Sequence, residues 1–128
     1  MNKLLLVIVG GGLGSGARYL VSTWMLARLG PAFPWGTLTV NVVGSFLLGA
    51  IMQLGLSTNA IGADTRLLLT TGVMGGFTTY STFNYETLRY LQDGNWSVAL
   101  LNSFATFASC LVAGLLGVAT VRMTVGSP

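Results

Sequence analysis

The stretch GGFTTYSTF, residues 75–83, decides the fold of this chain, because it places polar residues within a long apolar run. Its two glycines weaken a helix, and four hydroxyl residues follow them. Inside a bilayer the backbone leaves helical geometry only where protein or a water-filled cavity satisfies its free N–H and C=O groups. We therefore predict a helix break near Gly75-Gly76. The alternative is a packing glycine pair in an unbroken helix.

The residues on either side of this stretch have the composition of a membrane protein. Of the 128 residues, 52% are hydrophobic and only 7% are charged, against about 25% charged residues in soluble domains. Apolar spans of about 20 residues, the length that crosses the hydrocarbon, cover residues 4–26, 37–56, 67–91 and 97–121. We predict an all-α membrane protein with four transmembrane helices, in which residues 1–128 form one integral domain.

Several function classes are excluded by what the sequence lacks. Histidine is absent and the single cysteine, Cys110, lies in an apolar run, so neither a disulfide nor a His/Cys metal site can form. The six Lys and Arg residues are scattered, which argues against nucleic-acid binding. The pattern Gly12-x-Gly14-x-x-Ala17 imitates a dinucleotide-binding loop, but neither the acidic residue nor the alternating strands and helices of that fold follow.

Small residues recur at a spacing of four in every span, which places them on one face of each helix. These residues are Gly10/Gly14 and Gly12/Gly16 in the first span, Ser45/Gly49 in the second, Gly72/Gly76 in the third, and the row Ala105, Ser109, Ala113 and Gly117 in the fourth. Four helices alone hardly enclose a water-filled pathway. We therefore expect an oligomer whose subunits share these seams.

The positive charges are divided almost evenly between the two membrane faces. Lys3, Arg66 and Arg122 lie near one face, Arg28 and Arg89 lie near the other, and Arg18 lies within the first span. Topology follows the Lys/Arg bias of short loops, so this balance sets no preferred orientation. We predict insertion in both orientations and an antiparallel, dual-topology homodimer.

The residues after the predicted break supply chemistry that suits a small anion. Tyr80 and Phe83 are three residues apart and share a helix face, with Thr79 on its flank. Aromatic ring edges are partially positive, and together with hydroxyl donors they can replace part of an anion's hydration shell. The alternative is that the rings belong to a packed core and the hydroxyls bond their own helix.

Two further polar residues lie at membrane depth. Asn41 carries two amide donors, which suits an anion, although such a residue also serves as a bond between helices. Arg18 must face a polar interior or reach the interface. We expect Arg18 to draw anions into a vestibule or to fix a helix end. Carbonyl groups released at the break would suit a small hard cation.

Three segments together resemble the fluoride channels called Fluc or CrcB: GSGARY (residues 14–19), WGTLTVN (35–41) and TTGVMGGFTTYSTFNYET (70–87). The resemblance covers the whole chain, including its length and four-span layout. It implies a passive channel, not an enzyme, that exports cytoplasmic fluoride across the bacterial inner membrane. It also implies a dual-topology homodimer with two antiparallel pores around a central sodium ion.

The resemblance carries residue roles over by position. It implies that the carbonyls of Gly75 and Thr78 bind Na⁺. The fluoride pore would be lined by Asn41, Tyr80 and Phe83, together with the hydroxyls of Thr79, Ser81, Thr82 and Ser109. Tyr80 departs from the family, which usually has phenylalanine there, so its phenol adds a donor or narrows the route.

Two other functions compete with this interpretation. A small multidrug exporter has similar size, four spans and dual topology, but such exporters need a carboxylate in the first span, where this chain has only Arg18. A non-transporting assembly subunit would use Asn41 and Arg18 only to join helices.

Overall fold

The computed structural model describes residues 2–126, and no strand occurs in that range. Among the described residues, three helices are long and apolar enough to cross a membrane: α1 (Lys3–Leu29), α2 (Trp35–Ser57) and α6 (Trp96–Val125). Each extends beyond its predicted span, because polar ends such as Arg28 and Arg122 continue the helix outside the hydrocarbon. The prediction of an all-α membrane fold is confirmed.

The third span is a broken helix, as predicted. It begins with α3 (Ala63–Leu67), a π-helical segment (Leu68–Met74) and α4 (Gly75–Phe77), which follow one another without interruption. After two extended residues, α5 (Tyr80–Gln92) completes the span. The break lies two residues beyond the glycine pair, and Gly75 itself keeps right-handed helical geometry (φ −60°, ψ −38°).

Glycines bring α1 and the third span into close backbone contact. A Cβ atom on Gly14 would meet the carbonyl oxygen of Val73, and one on Gly76 would meet that of Gly11. The predicted seams Gly10/Gly14 and Gly72/Gly76 are therefore confirmed, whereas a Cβ atom on Gly12 or Gly16 meets nothing within 4 Å. Gly76 also agrees with the alternative prediction of a packing glycine pair, because it contacts α1. The break itself forms at Thr78 and Thr79.

The most extensive helix packing joins α2 and α6. A Cβ atom on Gly117 would meet the carbonyl oxygen of Phe46, so glycine is required at this crossing as well. Of the most apolar 18-residue stretch of α6, only 11% is buried inside the chain. Apolar surface of this extent is covered by lipid or by another protein.

Replacing Gly14 with alanine is expected to destabilise the fold, because the new methyl group would collide with the Val73 backbone rather than with a movable side chain. Overpacking of this kind costs about 1–3 kcal/mol, which thermal unfolding in detergent would measure. Gly12→Ala is the matched control on the same helix, since a Cβ atom there meets nothing within 4 Å. Equal stability of the two variants would contradict the close α1 contact.

Candidate functional site

The site is built around the two extended residues that interrupt the third span. Thr78 (φ −87°, ψ 160°) and Thr79 (φ −154°, ψ 118°) leave helical geometry, and both are β-branched residues that tolerate extended backbone well. The Thr79 hydroxyl accepts a hydrogen bond from the Thr82 N–H at 3.2 Å and thereby caps α5. The break is therefore a defined junction between two helices.

Asn41 of α2 binds the extended backbone at this junction. Its Nδ2 donates to the Thr79 carbonyl oxygen at 3.0 Å, and its Oδ1 accepts from the Thr79 N–H at 2.8 Å. This pair of bonds substitutes for the helical bonds that Thr79 has lost, which is what a bilayer demands of any break. One amide proton of Asn41 stays uncommitted in this arrangement, since Nδ2 carries two.

The carbonyl groups around the break divide into two sets. Those of Gly76 and Thr79 accept side-chain bonds, the first from Arg18 Nε at 3.0 Å and the second from Asn41. Those of Gly75 and Thr78 lose their normal helical donors four residues on, because the N–H of Thr79 donates to Asn41 and that of Thr82 donates to Thr79. The Gly75 and Thr78 oxygens are thus released at the break, and oxygen donors of this kind fit a small hard cation.

A groove of about 760 Å³ extends from the break along α5, α2 and α6. It is lined by Asn41, Thr79, Tyr80 and Phe83 among the predicted pore residues, and by the predicted cation ligand Thr78. The Tyr80 and Phe83 rings lie 5.7 Å apart with their planes tilted by 60°. The groove therefore combines ring edges, hydroxyl groups and an amide donor on one face.

The other predicted residues lie around the groove rather than in it. Ser81 is exposed, and its Oγ lies 3.5 Å from the Thr79 hydroxyl. Thr82 accepts a bond from the same hydroxyl at 3.1 Å and lines a second cavity. Ser109 donates to the carbonyls of Ala105 and Thr106 in its own helix.

The second cavity, of about 600 Å³, lies on the other side of the junction. Arg18 lines it while holding the Gly76 carbonyl, so this residue both fixes the helix break and contributes positive charge to the cavity wall. Glu86 Oε1 is buried there and has no hydrogen-bond partner within residues 2–126. A water molecule in the cavity would satisfy it.

Three polar residues of the site were missed by sequence reasoning. Asn84 and Thr87 of α5 line the groove, and Asn102 of α6 lies buried behind it. The available signal was spacing: Thr87 follows Phe83 by four residues, and Thr106 follows Asn102 by four, so each pair shares a helix face.

Replacing Asn41 with leucine is expected to loosen the junction, because both bonds to Thr79 are lost and two backbone groups are left unsatisfied. Each such group costs about 1–3 kcal/mol when buried. Hydrogen exchange across residues 75–83 should accelerate in the variant. Asn84→Leu is the control, since that amide lines the same groove without bonding Thr79; unchanged exchange in Asn41→Leu would contradict the role of this amide.

Comparison with known proteins finds one family along almost the whole chain. Residues 5–118 match the model of the family described as CrcB-like protein, Camphor Resistance (CrcB). A protein named Fluoride-specific ion channel FluC from Anaeromyxobacter sp. (strain K) is 54% identical, over 98% of this chain and 100% of its own length. Similar proteins of the same name occur in Sorangium cellulosum, with 48% identity over 95% of this chain and 96% of the relative, and in Geobacter sulfurreducens, with 48% over 95% and 98%.

Proposed function

This chain belongs to the CrcB-like family, and we propose that it is a passive fluoride channel that exports cytoplasmic fluoride. It is a multi-pass protein of the bacterial inner membrane and not an enzyme. The observation that carries the proposal is the groove, in which the tilted rings of Tyr80 and Phe83 lie beside hydroxyl groups and the Asn41 amide.

The chemistry of the groove favours a small, strongly hydrated anion. Ring edges and neutral N–H or O–H donors replace hydration without placing a full positive charge next to the ion. A fixed charge would hold the anion too tightly for conduction, which requires binding that is favourable on entry and weak enough for release. Chloride would be rejected because it is larger and gains less from the same donors.

We propose that the groove is half of a pathway that a second copy of the chain completes. Gly75 and Ser81 are exposed in the middle of the third span, and Tyr80 is 75% exposed. Lipid cannot satisfy the free Gly75 carbonyl, so protein, ion or water must cover it. The near balance of Lys and Arg between the two faces supports an antiparallel partner, which would give two pores per dimer.

A sodium ion is proposed at the centre of this dimer. The released carbonyls of Gly75 and Thr78 would hold it, and the exposure of Gly75 leaves its oxygen accessible to a shared site. The ion would supply positive charge to carbonyl groups that otherwise lie unpaired in the membrane, and so stabilise the junction. The cation would be structural, with fluoride as the transported ion.

The direction of transport follows from elementary chemistry. Hydrogen fluoride is a weak acid that crosses membranes as a neutral molecule and ionises inside the cell, where fluoride then accumulates. A negative-inside membrane potential drives the anion outward by about 2.3 kcal/mol per charge for each 100 mV. No energy source beyond this potential is needed for export.

Fluoride efflux from proteoliposomes tests the proposal. Vesicles loaded with potassium fluoride and treated with a potassium ionophore should release fluoride rapidly at equal pH on both sides. The same vesicles loaded with potassium chloride should release almost none. Efflux that requires a pH gradient would favour a proton-coupled exporter, and no efflux at all would favour an assembly subunit.

A further inference from the structure

A buried hydrogen-bond network connects α6 to the turn that carries Phe83. Asn102 is only 1% exposed. Its Nδ2 donates to the Thr87 hydroxyl at 3.0 Å, and its Oδ1 accepts from the Thr106 hydroxyl at 3.3 Å. Thr87 in turn donates to the Phe83 carbonyl oxygen at 2.9 Å. The four residues form one chain of donors and acceptors.

The direction of this chain is fixed by its chemistry. A hydroxyl group carries one proton, and the Thr87 oxygen already accepts a proton from Asn102. Its own proton therefore goes to the Phe83 carbonyl, which is the acceptor within reach. Removing the Asn102 amide would free the Thr87 hydroxyl to rotate and would loosen this turn of α5.

The network matters because α5 has few other anchors. The break at Thr78 and Thr79 cuts it off from α4, and its 13 residues include none that is fully buried. Other hydroxyls of α6, such as those of Ser103 and Ser109, donate to carbonyls of their own helix. Within residues 2–126, the bond from Asn102 to Thr87 is the side-chain hydrogen bond that joins α5 to α6.

We propose that Asn102 is a positioning residue of the conduction pathway, which acts through Thr87 to hold the Phe83 ring at the groove. This assignment rests on the proposed function, since it concerns a ring that contacts the transported ion. The amide itself lies behind the groove wall and touches no ion. Through Thr87 it sets the orientation of the Phe83 side chain, which contacts the ion.

The test is the fluoride efflux rate per active vesicle, measured separately from the fraction of vesicles that are active. Asn102→Leu, which keeps the volume and removes the bonds, should lower the rate about tenfold, the factor expected when a buried partner is left unsatisfied. The active fraction should stay unchanged. Gln53→Leu is the matched control, because that amide is 4% exposed but bonds Ser57 of its own helix.

A second pair of variants tests the same link from its other end. Thr87→Val should lower the rate as much as Asn102→Leu does, whereas Thr87→Ser, which retains the hydroxyl, should recover most of it. The double variant Asn102→Leu/Thr87→Val should fall no further than either single change, since both remove the same bond. If Asn102→Leu does not fold, the comparison of Thr87→Val with Thr87→Ser tests the assignment instead.

Three results would overturn the assignment alone, and the first two are a normal rate per vesicle in Asn102→Leu and additive losses in the double variant. Loss confined to the active fraction would also overturn it, since that marks a purely structural residue. A wild-type protein that releases no fluoride would overturn the proposed function, and this assignment with it.

Discussion

Replacement of Phe83 with isoleucine is expected to reduce fluoride efflux to the rate of vesicles without protein. The Phe83 ring lines the groove and lies 5.7 Å from the ring of Tyr80. Isoleucine keeps the apolar bulk but has no ring edge, and hence no partially positive rim to replace water around the anion. Ionophore-driven efflux from proteoliposomes measures the effect.

The control for this variant is Phe104→Ile. Phe104 is 72% exposed on α6 and does not line the groove, so the same loss of a ring there should leave efflux unchanged. Both variants should elute from a sizing column as the wild-type protein does. Undiminished efflux from Phe83→Ile would remove this ring from the pathway.

Added lysines on one membrane face are expected to abolish activity by locking the chain in one orientation. Asn59→Lys with Thr124→Lys adds charge to the face that holds the termini, and Ala32→Lys with Gln92→Lys adds charge to the opposite face. All four positions are exposed. Because short-loop charge sets topology, each double variant should insert one way and fail to form an antiparallel dimer.

Co-expression of the two locked variants is the decisive control. If the chain functions as an antiparallel dimer, the mixture should recover fluoride efflux that neither variant shows alone. A single-charge swap that leaves the balance intact, Arg89→Lys, should behave as the wild type. Full activity of one locked variant by itself would contradict dual topology.

Much of the fold follows from the sequence because bilayer physics leaves few choices. Apolar runs of sufficient length predicted α1, α2 and α6. The spacing of Gly10, Gly14, Gly72 and Gly76 predicted the faces through which α1 and the third span come into close contact. The spacing of Gly12 and Gly16 was less informative, since a Cβ atom on either meets nothing within 4 Å. Four-residue periodicity identifies a face but not which face has a neighbour.

The site was less predictable, because it depends on contacts between distant segments. The interruption of the third span could be predicted from its polar residues, but its position at Thr78 and Thr79 depends on Asn41, which lies 38 residues away from Thr79. Arg18 likewise donates to the carbonyl oxygen of Gly76, which lies 58 residues away. No local pattern encodes such pairings.

The π-helical segment, in which the Gly75 N–H bonds the Thr70 carbonyl, also escaped prediction. Each wide turn holds one residue more than an α-turn. If the same residues were wound as an ordinary α-helix, every later side chain would turn by about 100°, the rotation per residue of an α-helix. Tyr80 and Phe83 would then face away from the groove, so the wide turns of this segment set which side of α5 lines the groove.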